Sequence, residues 1–199
     1  MNQDPNARRY LPQGTGTPSP QASVDKTEGD ALWHFSLRIY RAPGVAPACL
    51  ALQDRYRVDV NLLLCLLWRA SLGDPIDSVR LAHLESSVAQ WRTQLVAPLR
   101  ELRRELKRSP ALDSAGVPAL RDKIKALELD AEHLQQQVLA RIAADTAARL
   151  ELGDHQQNPI DLASLHLRHY ETMLGCRFDD ALLHPLLQAL AGSGTPQID

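Results

Sequence analysis

The sequence is poor in the features that mark several large classes of protein. It has three cysteines among 199 residues, without a CxxC pair or a Cys/His ligand pattern, which argues against a zinc site. Its net charge of -2 argues against a general nucleic-acid coat, because such domains are usually strongly basic. Its most apolar stretch, residues 60–68, is too short for a membrane span, which needs about 20 residues.

Motifs of the common enzyme classes are also missing. The chain contains no nucleophile elbow, no phosphate-binding glycine loop and no dinucleotide-binding fingerprint. Its first residues lack the apolar core of a signal peptide. We therefore expect a cytoplasmic protein without a cofactor or a bound metal, and the sequence favours a non-enzyme over an enzyme.

Residues that favour helices are abundant. Leu, Ala, Arg, Glu and Gln dominate and runs of β-branched residues are missing, so we predict an all-α fold. Two terminal stretches, 1–27 and 192–199, are rich in Pro, Gly, Ser, Thr and Gln, as is typical of disordered tails. Residues 28–191 are predicted to form one helical domain, since one domain usually takes about 100–200 residues.

The most informative stretch is residues 41–69, which contains an almost wholly apolar helix. Asn61 is the single polar residue between positions 60 and 68, so this helix has no polar face and must be buried on all sides. Asp59 stands directly before it, where an N-cap side chain accepts hydrogen bonds from the first backbone amides. We predict that this helix is the centre of a bundle and that Leu64, in its middle, is surrounded by protein.

Proline, glycine and capping residues divide the chain into seven predicted helices. Five are short, at about 29–41, 45–54, 60–72, 159–174 and 180–191. Two are long, at about 76–108 and 117–150, with apolar residues alternately three and four positions apart, which is typical of coiled-coil packing. The connection between the long helices is short, so we predict a compact bundle of short helices with a long antiparallel hairpin over about 76–150. Pro98 should kink the first arm or remove one of its backbone hydrogen bonds.

Polar residues cluster around the break between the second and third predicted helices. Gln53, Asp54, Asp59 and Asn61 lie there, and together with Arg69, near the other end of the third helix, they are the candidate ligand-binding residues. Paired carboxylates can perform acid–base chemistry when burial separates their pKa values. The alternative is structural: Asp59 caps the third helix, and Gln53 and Asp54 close the second. Asn61 would then bond to a neighbouring backbone group.

Two further clusters have simpler explanations than a site. The basic face 100–108 is interleaved with Glu101 and Glu105, and ion pairs at helical spacing stabilise a helix by about 0.2–0.5 kcal/mol each. A self-paired, solvated face is therefore the main interpretation, and weak nucleic-acid binding is the alternative.

Seven histidines raise the question of a metal site. His166 and His169 have helical spacing, with Glu171 and His155 nearby, but no third ligand stands at a defined offset and HExxH is absent. We therefore predict no metal site.

Two stretches, 40–54 and 59–68, resemble a family of small uncharacterised proteobacterial proteins, usually described as conserved hypothetical proteins or as a domain of unknown function. Three pieces carry the resemblance in order: Pro-Gly-Val at 43–45, Leu-Gln-Asp at 52–54 and Asp-Val-Asn-Leu-Leu at 59–63. The similarity runs from about Trp33 to about Ile142. Similar proteins often carry glycine where this chain has Arg57. The resemblance implies a bacterial cytoplasmic setting and no particular chemistry.

Three functions remain open at this point. The leading one is a non-enzymatic interaction or adaptor protein, whose hairpin contacts a protein partner or a second copy of the chain. The alternative is a small-ligand binder or an enzyme with a pocket among the short helices near residues 53–69. Weak nucleic-acid binding through residues 100–108 is the third. An exposed apolar patch would favour the first, and a shared polar cleft would favour the second.

Overall fold

Eight α-helices and one π-helical turn form the part of the chain that the computed structural model describes, residues 20–108, 116–147 and 158–192. In chain order they are α1 (Pro20–Tyr40), α2 (Val45–Tyr56), α3 (Val60–Ser71), α4 (Ser78–Trp91), the π turn (Arg92–Val96), α5 (Ala97–Arg108), α6 (Val117–Ala147), α7 (Pro159–Leu174) and α8 (Asp180–Gly192). These ranges contain no β-strand, so the predicted all-α class is confirmed. None of the described helices combines the length and the apolar composition that crossing a bilayer requires.

Helix α1 begins earlier than the composition predicts. It starts at Pro20, whose restricted φ suits the first position of a helix, and the residues that follow include the helix formers Gln, Ala, Lys and Glu. Residues 20–27 are therefore helical, although they fall inside the stretch 1–27 that was expected to be a disordered tail. Residues 1–19 and 193–199 lie outside the described part, and the tails predicted there stay predictions.

Helix α3 is the centre of the fold. Every residue from Asn61 to Ala70 is buried, and the helix contacts α1, α2, α6 and α7. The Asp59 side chain accepts hydrogen bonds from the backbone amides of Asn61 (2.9 Å) and Leu62 (3.3 Å), as its position before the helix predicts. A helix without a polar face is stable here because protein surrounds it on nearly every side.

The turn between α2 and α3 depends on one residue in the left-handed region. Arg57 has φ 61° and ψ 27°, and its amide donates to the carbonyl of Gln53 (3.1 Å), which closes α2. Glycine adopts this conformation without strain, whereas a residue with a side chain rarely does. In this chain an arginine holds the turn that leads into the N-terminus of α3.

The π turn interrupts the first of the two long predicted helices just before Pro98. Proline has no amide hydrogen, so the carbonyl of Gln94 cannot receive the usual bond from four residues on. The helix forms one wider turn instead, in which the amide of Ala97 donates to the carbonyl of Arg92, five residues earlier. The wider turn changes the direction in which Arg92 and Val96 point, and both side chains line the cavity described below.

Helices α4 and α5 lie alongside α6. Trp91 Nε1 donates to the carbonyl of Ala131 (3.0 Å), and Arg100 Nε donates to Glu128 (2.8 Å). The later donor along the chain, Arg100, bonds to the earlier residue of α6, Glu128. Helices α4 and α5 therefore run antiparallel to α6. Two pieces of the predicted hairpin lie outside the described residues, 109–115 and 148–150. The hairpin as a complete unit over 76–150 stays a prediction.

The apolar residues of α6 do not form one closed seam. Ile124 and Ala131 are buried, whereas Leu120, Leu127 and Leu134 are 48%, 55% and 48% exposed. The alternating spacing predicts that the buried set and the exposed set both pack against the first arm of the hairpin. Residues three or four apart lie at different angles around a helix of 3.6 residues per turn, and α6 turns only one of the two rows toward its neighbours. We call the exposed set, Leu120, Leu127 and Leu134, the leucine row.

Candidate functional site

A cavity of about 370 Å³ opens between α1, α2, α3, the π turn, α5 and α6. Its volume lies near the lower end of the roughly 300–1,000 Å³ that is usual for small-molecule sites. Buried polar side chains form its floor, apolar side chains form its walls, and exposed basic side chains stand at its rim. Polar groups therefore occur at both ends of the cavity, with apolar surface between them.

The floor is a chain of hydrogen-bonded side chains that connects α1, α3 and α6. Ser36 Oγ donates to Gln136 Oε1 (3.0 Å), and Gln136 Nε2 donates to Asn61 Oδ1 (2.9 Å). Asn61 Nδ2 donates to Gln135 Oε1 (2.9 Å), and Gln135 Nε2 donates to Asp59 Oδ2 (2.6 Å). All five side chains are buried, where an unpaired polar group is costly. The bonds therefore hold three helices in a single arrangement.

Asp59 caps α3 and also lines the cavity. Its Oδ1 caps α3, while its Oδ2 lies at the cavity and accepts hydrogen bonds from Gln135 (2.6 Å) and from Arg92 Nη1 (2.9 Å). Its backbone amide donates to Tyr170 Oη (2.8 Å), which connects the site to α7. A carboxylate can do this because its two oxygens accept about four hydrogen bonds.

Arg92 reaches the cavity from the π turn and joins α4 to the N-terminus of α3. It donates to Glu85 from both terminal nitrogens and to Asp59 from Nη1. The hydrogen bonds to Glu85, followed by those to Asp59, raise the pKa of Arg92 against the opposing effect of burial. The guanidinium therefore stays charged, and its charge is balanced by two carboxylates.

Two carboxylates of α6 face basic side chains of α5. Glu128 accepts hydrogen bonds from Arg100 Nε (2.8 Å) and Arg103 Nε (2.6 Å), and Glu132 pairs with Arg100. Burial would raise the pKa of Glu128, but the bonds from Arg103 and Arg100 outweigh it and lower that pKa. For Glu132 burial dominates and raises the pKa, although Arg100 opposes it. Because Arg100 and Arg103 are paired across helices, the basic face 100–108 has fewer side chains free for nucleic acid.

The walls of the cavity are apolar and come from α1, α2, α3, the π turn and α6. They consist of Trp33, Leu37, Leu50, Val60, Leu64, Val96 and Leu129. Leu64 and Val96 are buried at depth, whereas Leu37, Leu50 and Leu129 are exposed near the opening. Trp33 is held in place by stacking on His133, with 4.7 Å between ring centroids. Exposed leucines at one opening form a surface that an apolar group of a ligand could cover.

Three of the five candidate residues line the cavity, and two do not. Gln53, Asp59 and Asn61 are part of the lining, whereas Asp54 is exposed outside it and Arg69 is buried elsewhere. The structural alternative had Asn61 bonding to a neighbouring backbone group. Its side chain bonds instead to glutamine side chains of α6.

Sequence reasoning missed nine polar residues of the cavity lining. Four of them are Tyr40, Arg41, Lys125 and Glu128, and the other five are Ser36, Arg92, Glu132, Gln135 and Gln136. The hydrogen-bond partners of these five in the site lie from 32 to 100 residues away along the chain, so no local spacing connects them. The one available signal is the run of three glutamines at 135–137, which interrupts the apolar pattern of α6.

Arg69 belongs to a separate buried ion cluster at the end of α3. Its Nε donates to Asp74 Oδ2 (2.5 Å), and Arg80 donates to Asp74 from Nη1 (2.9 Å) and Nη2 (3.0 Å). Arg80 Nη2 also donates to the carbonyl of Ala143 (3.0 Å) in α6. Burial would raise the pKa of Asp74, but the bonds and charges of Arg80 and Arg69 outweigh it and lower that pKa. The assignment of Arg69 to the candidate site was therefore wrong.

His166 and His169, which were weighed as metal ligands, bind the backbone. His166 Nε2 accepts a hydrogen bond from the amide of Ile76 (2.8 Å), and Nδ1 lies 3.0 Å from the carbonyl of Leu66. His169 Nδ1 lies 3.0 Å from the carbonyl of Ile76. Over the described ranges, no group of three or more His, Cys, Asp or Glu side chains is placed to hold a metal ion. His155 lies outside those ranges.

Lowering the pH below about 6.5 should destabilise the protein through His166. Burial lowers the pKa of this imidazole, and its two backbone bonds require the neutral form with the proton on Nδ1. Unfolded histidine titrates near 6.5, so below that pH the unfolded state binds more protons and the free energy of unfolding falls. The loss levels off below the pKa of the folded state.

Urea melts between about pH 8 and pH 5 measure this effect. The variant His166→Gln should lose part of the pH dependence, whereas His34→Gln, at an exposed position of α1, should keep it. The same pH dependence in the wild type and in His166→Gln would show that His166 is not responsible.

The fold and the site together define an all-α protein with a small cavity, polar at its floor and basic at its rim, enclosed between helices. Residues 31–139 match the family model described as "Protein of unknown function (DUF2390)", and since this is more than half of the chain, the chain belongs to that family. Every residue that lines the cavity lies within the matched span. No curated protein and no solved structure matches the chain.

Proposed function

We propose that the protein binds a small, partly apolar molecule in the cavity and is not an enzyme. The observation that supports this is the lining itself, in which exposed leucines surround the opening of a cavity of about 370 Å³ above a hydrogen-bonded floor. Covering apolar surface contributes about 25 cal/mol per Å² to binding, and a floor fixed in advance reduces the cost of ordering. We also propose that the protein acts in the cytoplasm of a proteobacterium, a setting that the sequence resemblance supports.

The lining also favours binding over catalysis. Ser36 is the one serine among the lining residues, and its hydroxyl donates to the amide of Gln136 and not to a base. Nucleophilic catalysis needs a nucleophile within hydrogen-bond reach of a base. Asp59 is similarly occupied, because both of its oxygens accept hydrogen bonds from protein donors. The polar groups of the floor therefore shape the cavity more than they offer chemistry.

Blocking the opening of the cavity should weaken ligand binding. We expect octanol, a neutral alkyl probe, to bind the wild type in isothermal titration calorimetry. The variant Leu129→Trp places an indole at the opening and should weaken binding at least about tenfold, a loss of roughly 1.4 kcal/mol. Leu127→Trp is the matched control, because Leu127 is exposed on the same helix but does not line the cavity.

Two results would contradict the proposal. One is that neither octanol nor a charged compound with the same octyl chain binds the wild type. The other is that Leu129→Trp and Leu127→Trp bind octanol equally well, which would place the binding surface elsewhere.

The leucine row favours a second candidate function, interaction with a protein partner or with a second copy of the chain. Its three leucines are seven residues apart, so they lie on one face of α6, and each is about half exposed. Sedimentation velocity tests the self-association form of this candidate. We expect a dimer at about 0.1 mM and a monomer for Leu127→Glu, because a buried charge opposes an apolar contact. A wild type that stays monomeric would exclude self-association.

A further inference from the structure

The charges that line the cavity are not balanced. Six of the lining side chains are cationic and three are carboxylates, although the chain as a whole has a net charge of -2. Arg92, Arg100 and Arg103 are held by the carboxylates Asp59, Glu85, Glu128 and Glu132 in the ion pairs described above. The excess of positive charge therefore lies with the other three cations.

These three cations are Arg41, Arg104 and Lys125, and they come from three separate elements. Arg41 follows α1, Arg104 lies in α5 and Lys125 lies in α6, and all three are exposed at the rim of the same cavity. Within the described residues, none of them takes part in a salt bridge. Cations gathered at one opening repel one another unless an anion lies between them, and they attract anions from solution.

The floor cannot take the place of the rim as an anion site. Its side chains are bonded to one another, and among the described residues the one buried side-chain polar atom without a partner is Arg80 Nε, in the separate ion cluster. An anionic group at the floor would also meet the carboxylate of Asp59. A ligand with an apolar part and a charged part would therefore lie with the apolar part against the walls and the charged part at the rim.

We propose that the ligand is an amphiphilic anion, in which an apolar chain carries a carboxylate, phosphate or sulfonate group that Arg41, Arg104 and Lys125 bind at the rim. This inference rests on the proposed function, because it assigns the chemistry of the molecule in the same cavity. Guanidinium groups bind such anions with two parallel hydrogen bonds, and the ammonium of lysine adds a point charge. The exposed leucines at the opening lie beside these cations and would cover the first part of the chain.

Three octyl compounds of fixed charge test the inference in calorimetric titrations. They share one chain and differ in the head group: octanesulfonate, octanol and octyltrimethylammonium. We expect octanesulfonate to bind the wild type most tightly and octyltrimethylammonium most weakly. Inorganic phosphate, which has charge but no chain, should bind far more weakly than octanesulfonate, which separates recognition of an amphiphile from recognition of an anion alone.

A double variant tests the residues. Arg104→Gln with Lys125→Gln should weaken octanesulfonate binding by about three- to tenfold and leave octanol binding unchanged, as expected for loss of two exposed charges. Lys107→Gln is the matched control, since Lys107 is exposed on α5 but does not line the cavity. Raising the salt from about 0.05 to about 0.5 M should weaken octanesulfonate binding in the wild type and have less effect in the double variant.

The possible outcomes separate the two proposals. If octanol binds in the cavity but octanesulfonate binds no more tightly, the anionic ligand is wrong and the proposed function stands. If the double variant binds octanesulfonate as well as the wild type does, the rim cations do not bind the head group and the inference fails. If none of the octyl compounds binds, both proposals fail.

Discussion

Replacing Asp74 with alanine should lower the free energy of unfolding by about 3–5 kcal/mol, the usual cost of removing one partner from a buried ion pair. Asp74 is the one carboxylate that Arg69 and Arg80 share in this cluster, and all three side chains are buried. Its loss would leave two guanidinium groups without a counter-charge in a region of low dielectric. Arg80 Nε already lacks a hydrogen-bond partner among the described residues, so the loss of Asp74 would add to the unpaired polar atoms of the cluster.

Urea denaturation measures the effect, and an exposed ion pair provides the control. Glu101 pairs with Arg108 on α5 with both side chains more than half exposed, so Glu101→Ala should cost under about 1 kcal/mol. The triple variant Arg69→Met, Asp74→Leu, Arg80→Met should recover much of the lost stability, because well-packed apolar residues often replace a buried ion cluster without loss. An Asp74→Ala protein as stable as Glu101→Ala would mean that the cluster is not buried in solution.

Truncation in the middle of α3 should have the second large effect. Leu63 is fully buried and does not line the cavity, so Leu63→Ala should leave a closed void and cost about 2–5 kcal/mol. This is a large share of the roughly 5–15 kcal/mol by which such a domain is stable. The midpoint and slope of a urea melt give the change in free energy.

Two further leucines make this experiment a test of the architecture. Leu64 is 3% exposed and borders the cavity, so Leu64→Ala enlarges an existing space and should cost about 2 kcal/mol, the lower end of the range. Leu129 is exposed on α6, and Leu129→Ala should cost under about 1 kcal/mol. If Leu63→Ala were as mild as Leu129→Ala, α3 would not be the centre of the fold.

Elements whose cause lies within a few residues were predictable. The helix at 60–71 follows from an apolar run after a capping aspartate. Helix α7 begins at Pro159 and ends before Gly175, as the proline and the glycine at these positions indicate. The start of α1 was misplaced because a proline-rich stretch can also provide the first turn of a helix. The π turn was anticipated only as a kink at Pro98, since the sequence does not say how a lost hydrogen bond is accommodated.

The candidate site was predictable only in part, and for a physical reason. Asp59 and Asn61 stand out because they are polar residues at the start of an apolar helix. Their partners Gln135 and Gln136 do not, because the bonds that join them connect residues 74 to 76 positions apart. Arg69 stood out as a polar residue at the end of the same helix, yet its charge is balanced by Asp74, five residues on, and not by the site.

The sequence by itself determined the class of fold and the central position of α3, because helix propensity, capping and runs of apolar residues are local properties of the chain. The tertiary structure decided what those elements enclose. The cavity exists because α1, α3, α5 and α6 meet with glutamines and serine at depth, leucines in the walls and, at the rim, cations that form no salt bridge within the described part of the chain. Each of these layers combines residues from distant parts of the chain, and only the packing of the helices brings them together.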